Sequence, residues 1–310
     1  MGTGVGFGKV ILFNEHFVVY GLPAIVSAIG TKTSALVEKA SGSGTEMNDC
    51  RPETPGYKAE KLREQQESLQ RILKFMNIDT EHNHFEITLA GDLIAASGVG
   101  ASAASCAAIA RAFSEELGLN YSDEQVNQAA YEGEKGYHGT PSGIDNTAAT
   151  YGGLIWYKRE GASQIMDRMK LREPVEIVMG NTGIVADTKI VVAGVKQRRE
   201  KAAEAYDQIF KNATELVQEA RKQLIALDLS KLGISMNMNH ELLQQIGVSC
   251  DELDDLVNLA RDNGALGAKM TGTGQGGYMV ALTPGQELQE RVAAEIERKG
   301  FQALRTTIGT

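Results

Sequence analysis

Ser97-Gly98-Val99-Gly100-Ala101-Ser102-Ala103-Ala104-Ser105 runs without a break into an alanine-rich segment that ends near Leu117. This pattern predicts a loop that opens a helix. Glycine reaches backbone conformations closed to residues with a Cβ, so the loop can turn its N–H groups toward one point. The helix behind it begins with N–H groups that have no internal partner and carries partial positive charge at that end. An anion is favoured there, and phosphate is the obvious one. A Gly-x-Gly turn before a small-residue helix also serves as a plain tight connection, so the flanking chain has to decide between the two.

The flanks support a phosphate cradle. Residues 84–89 alternate, with Phe85, Ile87 and Leu89 on one face, which predicts a strand leading into the loop. Upstream, residues 9–13, 24–29 and 33–37 read as short strands, 41–56 as a loop, and 59–76 as a helix with Leu62, Leu69, Ile72, Leu73 and Met76 on one side. Asn14, Glu15 and His16 stand between two apolar runs, an awkward place for polar groups unless a site uses them. Downstream, Ser122-Asp123-Glu124-Gln125 is a capping box that starts a helix reaching about Lys135. Glu134 falls near the end of that helix, where the dipole disfavours a carboxylate and a cationic partner is expected. The segment 138–146 then reads as a turn-rich loop and 154–158 as a strand, with a polar junction at 159–174.

Beyond the junction the order is a strand (175–179), a long interrupted helical region (188–246), and a helix (250–263). Two strands (266–270 and 278–282) then flank the loop Thr271-Gly272-Thr273-Gly274-Gln275-Gly276-Gly277, and a final helix (286–299) and strand (301–308) follow. This suits an α+β layer of the split βαβ type. Two domains are expected, at 1–170 and 171–310.

The bulk composition narrows the class. The 310 residues are 42% hydrophobic and 23% charged, with a formal net charge of -9, so nucleic acid and anionic membrane surfaces would be repelled at long range. Three widely spaced cysteines without a Cys-x-x-Cys pair indicate neither a disulfide framework nor a zinc site. An intracellular, cytoplasmic protein is expected, and a homodimer is left open.

Taken in order, the segment Gly8-Lys9-Val10-Ile11-Leu12-Phe13-Asn14-Glu15-His16-Phe17-Val18-Val19-Tyr20-Gly21, the loop 98–105, Glu134, the segment His138-Gly139-Thr140-Pro141-Ser142-Gly143-Ile144-Asp145-Asn146 and the loop 271–277 resemble the motifs of the GHMP small-molecule kinases. The resemblance covers nearly the whole chain. The 138–146 segment is the more specific part, and is similar to the members that phosphorylate mevalonate. The Gly98-Val99-Gly100-Ala101-Ser102-Ala103 form is similar to their trypanosomatid branch. Departures are Asn14 and Gln275, where the family usually or often has Gly, and Ala101-Ser102, where it usually has Ser-Ser.

The resemblance implies a two-domain GHMP kinase fold, with an amino-terminal ribosomal S5-like β/α domain that binds ATP and a carboxy-terminal ferredoxin-like split βαβ domain. It implies ATP and Mg²⁺ as the nucleotide and metal, and transfer of phosphate to the 5-hydroxyl of mevalonate. Phosphoryl transfer needs mainly positioning and charge neutralisation. Ser97 through Ser105 and Gly274 would then contact the nucleotide, Ser102 and Glu134 the metal, Asp145 and Lys9 the reacting hydroxyl, and Glu15, His16, Tyr151 and Thr188 the substrate. Phosphomevalonate, homoserine or a sugar remain alternative substrates, and a non-catalytic nucleotide-binding protein a further alternative. Lys9 argues against the related decarboxylases, which lack its counterpart.

Overall fold

A computed structural model describes residues 1–53, 57–94, 98–160 and 163–309. Two compact units are present, Met1–Lys9 with Ala28–Gly152, and Val10–Ser27 with the chain from Gly153 onward, so neither is a single stretch of sequence.

The first unit draws on β1 (Gly2–Phe13), β2 (Ala24–Ala40), β3 (Gly44–Asp49), α1 (Tyr57–Glu60), α2 (Leu62–Phe75), β4 (His84–Gly91), α3 (Ala101–Glu116), α4 (Asp123–His138) and α5 (Ile144–Tyr151). β4 lies between β2, antiparallel to it, and β3, parallel to it. Phe85, Ile87 and Leu89 are buried, as the alternation predicted, and Phe85 packs edge-on against Phe113 of α3 at 5.2 Å. The capping box of α4 forms in full, with the Ser122 side chain accepting from the Gln125 N–H and the Gln125 side chain accepting from the Ser122 N–H.

Three expectations are corrected here. The strand expected at 9–13 begins already at Gly2, because the glycine-rich start packs against the backbone of α3. A Cβ on Gly2, Gly4 or Gly6 would stand 2.3, 2.1 and 2.1 Å from the carbonyl oxygens of Ala112, Ala108 and Ala104. Two strand residues advance about 6.7 Å and four helix residues about 6 Å, so the glycines and the alanine carbonyls stay in step. The loop expected at 41–56 contains β3, whose half-exposed Gly-Thr-Glu-Met-Asn-Asp sequence hides a parallel pairing. The turn-rich segment after α4 passes into α5, so Asp145 sits in the first turn of a helix. The Gly6→Ala variant is expected to lose about 1–3 kcal/mol, since its methyl group meets fixed backbone. Urea unfolding that matches the wild type would contradict this packing.

The second unit contains the single-turn 3-10 helix Phe17–Tyr20, β5 (Leu154–Glu160), β6 (Ser163–Met169), β7 (Val175–Asn181), α6 (Thr188–Lys201), α7 (Ala203–Ala226), α8 (Leu229–Gln245), α9 (Asp251–Asp262), β8 (Gly267–Thr271), β9 (Tyr278–Leu282), α10 (Gln286–Arg298) and β10 (Gln302–Ile308). The expected polar junction at 159–174 is in part a hairpin, β5 with β6. Four strands form an antiparallel sheet in the order β10-β7-β9-β8, the ferredoxin-like split βαβ arrangement. Its core joins Val178, Met270, Met279 and Ala281 of the sheet to Leu253, Val257, Val292 and Ile296 of the helices. Among the described residues no helix is long and apolar enough to cross a membrane.

Candidate active site

In the first unit, β1 delivers Lys9 to the start of α3. The Lys9 N–H donates to the Val99 carbonyl at 2.8 Å, which ties the strand to the glycine loop. Gly100, the residue before the helix, has φ 80°, and a Cβ there would meet Lys9 Cγ at 2.8 Å. Glycine thus serves both the left-handed turn and the passage of the lysine side chain. Gly98 is also left-handed, at φ 73°. The Ala104 N–H already donates to the Gly100 carbonyl at 3.0 Å, which leaves the N–H groups of the preceding turn to outside acceptors. Ala103 and Ala104 are buried against neighbours, and Ser105 turns its hydroxyl inward to the Ala101 carbonyl. Ser97 lies outside the described residues.

Lys9 Nζ stands 3.4 Å from Asp145 Oδ1, joining residues far apart in sequence. Asp145 is aimed by α5, which Asn146 anchors to α4 through a 2.7 Å hydrogen bond to Asn127 Oδ1. Glu134 comes off α4 into the same group and is 1% exposed. Burial, and then the negative charge of Asp145, push its carboxyl up to about 8, against a hydrogen bond from Ser102 and the charge of Lys9. Glu134 Oε1 is buried with no hydrogen-bond partner among the described residues. His138 Nε2 is 3.9 Å from Glu134 Oε2, and burial lowers the His138 pKa. Tyr151, the last residue of α5, is half-buried. A cation, an anion, a hydroxyl and a protonatable carboxyl therefore surround one end of α3. No group of three or more His, Cys, Asp or Glu side chains forms a metal cluster among the described residues.

In the second unit, Glu15 and His16 follow the end of β1. His16 is buried, and its Nε2 lies 2.6 Å from the Thr273 carbonyl. A carbonyl only accepts, so Nε2 carries the proton. Burial lowers the His16 pKa, and the Arg198 and Lys269 charges add to that. The Thr273 hydroxyl pairs with that of Thr188, the first residue of α6, at 2.8 Å, so Thr273 holds both predicted substrate residues. Gly274 follows in the same loop. Glu15 is buried in an ion pair with Lys269 of β8, whose ammonium also donates to the Met270 carbonyl at 2.6 Å.

Sequence reasoning did not select Lys269, Thr273 or Asn239. A lysine inside the apolar strand Ala268-Lys269-Met270 was a usable signal, because a buried charge needs a partner. The two departures from family glycine both have left-handed backbones, Asn14 at φ 70° and Gln275 at φ 53°. Asn tolerates that region, and here its amide donates to the carbonyls of Pro23 at 2.8 Å and Ala213 at 3.2 Å, while its oxygen accepts from Asn239. Gln275 donates to the Ser249 carbonyl at 2.6 Å. Side-chain hydrogen bonds thus hold conformations that glycine adopts without them.

Residues 67–153 match the GHMP kinases N terminal domain and residues 220–302 the GHMP kinases C terminal family. Mevalonate kinase from Pyrococcus horikoshii is 34% identical over 307 residues, covering 93% of this chain and 90% of that protein. Mevalonate kinase from Pyrococcus furiosus is 35% identical over 322 residues, covering 97% and 94%. The crystal structure of L. major mevalonate kinase in complex with R-mevalonate superposes with a TM-score of 0.95 at 40% identity, covering 99% of this chain and 96% of that one.

Proposed function

The chain belongs to the GHMP kinases, among the mevalonate kinases, and we propose that the phosphoryl transfer it catalyses, from ATP to mevalonate, goes to the 5-hydroxyl and is served by Lys9 and Asp145. The supporting observation is the 3.4 Å Lys9–Asp145 pair beside the amino-terminal end of α3. The helix end and the left-handed loop before it suit the phosphates of ATP. Asp145 accepts the hydrogen bond of the attacking hydroxyl and then its proton, while Lys9 neutralises charge on the transferring group. His16 and Thr188, positioned by Thr273, are assigned to mevalonate. Glu15, committed to Lys269, is assigned to holding the turn that carries His16. Tyr151 and Gly274 keep the substrate and nucleotide roles that the family resemblance implies.

Ser102 and Glu134 fit Mg²⁺, a hard cation that prefers oxygen ligands and takes few from protein. Their fit rests on the buried carboxyl with one oxygen unpartnered and a hydroxyl beside it. Bound there, the metal neutralises phosphate charge. Without metal, the raised Glu134 pKa disfavours the folded state wherever the unfolded carboxyl is ionised. Stability is therefore full below about pH 4.5 and declines as pH rises toward 8, by up to roughly 1.4 kcal/mol per pH unit. Glu134→Gln is expected to remove that slope in thermal melts with EDTA and to raise the Mg²⁺ concentration needed for half-maximal activity. An unchanged magnesium titration would count against the metal role.

The reading is tested by coupled ADP release with mevalonate, phosphomevalonate, homoserine and galactose, and by phosphorus NMR of the product. Turnover of mevalonate with a 5-phosphate product is expected. Phosphorylation at the 3-hydroxyl, or turnover of a sugar alone, would overturn it.

A further inference from the structure

Arg51, which lies just beyond β3, is 5% exposed, and the proposed chemistry does not use it. Its Nε and Nη2 grip the two oxygens of Asp49 at 2.9 and 2.6 Å, a fork-on-fork pair. The remaining edge points elsewhere. Nη1 donates to the Ala101 carbonyl at 3.2 Å and to the Ser105 hydroxyl at 2.5 Å, with Thr33 Oγ1 at 3.5 Å. Ser105 itself donates to Ala101 O at 2.8 Å. Ala101 and Ser105 stand one turn apart at the start of α3, so the guanidinium is bolted to the first turn of the helix that carries the glycine loop.

Asp49 is held in its turn. Gln65 donates to it at 2.9 Å, and Lys58 donates to the Asp49 and Arg51 carbonyls at 2.7 and 2.6 Å. Burial raises the Asp49 carboxyl, but the Arg51 hydrogen bonds and charge outweigh it and leave the pKa below its ordinary value. Arg51 is thus a fixed, charged post, whereas the loop it faces has two left-handed joints at Gly98 and Gly100 and no side chain at either to hold its shape. The aim of the α3 N–H groups then depends on what holds the first turn from behind.

We propose that Arg51 is a positioning residue for the nucleotide phosphates, acting through Ala101 and Ser105 without touching the nucleotide. This rests on the assignment of the 98–105 loop to ATP. It predicts a defect confined to nucleotide. Lysine keeps the charge but cannot serve Asp49 and α3 together, so Arg51→Lys is expected to raise the Kd and KM for ATP about tenfold, the order of one charge-assisted hydrogen bond, with the KM for mevalonate within about twofold. Ser105→Ala, which leaves the Arg51–Asp49 pair in place, should act in the same direction by roughly threefold.

The experiment is calorimetric titration of the full chain with ATP, alongside steady-state kinetics for both substrates and thermal melts. Ile87→Val, a core change in β4, lowers the melting temperature and serves as the control for destabilisation alone. Folded Arg51→Lys protein with an unchanged ATP Kd, a KM for mevalonate that rises in step with that for ATP, or an equal ATP defect in Ile87→Val would each overturn the proposal. Should the wild type bind ATP but leave mevalonate unphosphorylated, the functional reading fails while the comparison of Kd values still decides the role of Arg51.

Discussion

Replacing Asp145 by Asn is expected to lower kcat by roughly two to four orders of magnitude, the range a positioned proton acceptor supplies. Asn is nearly isosteric, so α5 and its anchor through Asn146 should survive. What is lost is the proton acceptor and the partner of Lys9. The same change removes negative charge beside Glu134, the second cause of its raised pKa after burial, so that pKa should fall. Nucleotide phosphates would meet one anion fewer, and ATP affinity should hold or improve. Steady-state kinetics paired with calorimetric titration of ATP separates the two effects. A kcat within about tenfold of wild type would remove Asp145 from the chemistry.

The second large effect concerns stability. Lys269→Met leaves the Glu15 carboxylate buried without its counter-charge, and such a break costs about 3–5 kcal/mol. Burial depresses the Lys269 pKa, and the charge and hydrogen bond of Glu15 oppose that only in part. For a chain of this size, the melting temperature should fall by on the order of 10 °C. Neutralising both partners, in Lys269→Met with Glu15→Gln, should recover a large part of the loss, because no lone charge remains. A double variant no more stable than Lys269→Met would show that the pair is not coupled. Turnover by the stabilised double variant with ordinary KM for mevalonate would also show that Glu15 acts through the turn and not on the substrate.

Elements whose signal lies in side-chain periodicity were legible from the residues alone. The Phe85, Ile87, Leu89 alternation and the Ser122 capping box both appear in the structure as read. Where the signal lies in contacts with distant backbone, it was not. The first strand reads as beginning at Lys9, and only the carbonyls of α3 beside Gly2, Gly4 and Gly6 show why it begins at Gly2. The 138–146 segment reads as turn because Asp, Asn and small residues favour turns, yet from Ile144 the buried residues of Ile144–Tyr151 commit the chain to a helix. Motif order pointed to Lys9, Asp145 and Glu134, and the structure gathers them around one helix end. It could not reveal that Glu15 is bound to Lys269 or that Asn14 stands in a left-handed conformation, since both depend on residues far along the chain.

The interleaving of the two units sets an order of events during synthesis. Residues 10–27 belong with the chain after Gly153, and β10, the last strand, is hydrogen-bonded to β7. At ordinary elongation rates the ribosome needs on the order of tens of seconds to pass from the first of these segments to the last. Phe17, buried in the finished protein, packs edge-on against Phe210 at 5.2 Å, a partner made only after the whole first unit has been synthesised, and neither unit can be expressed alone as one continuous fragment. The nascent chain therefore leaves Phe17 without its α7 partner until residue 210 has been made, a window in which chaperone binding or aggregation competes with folding.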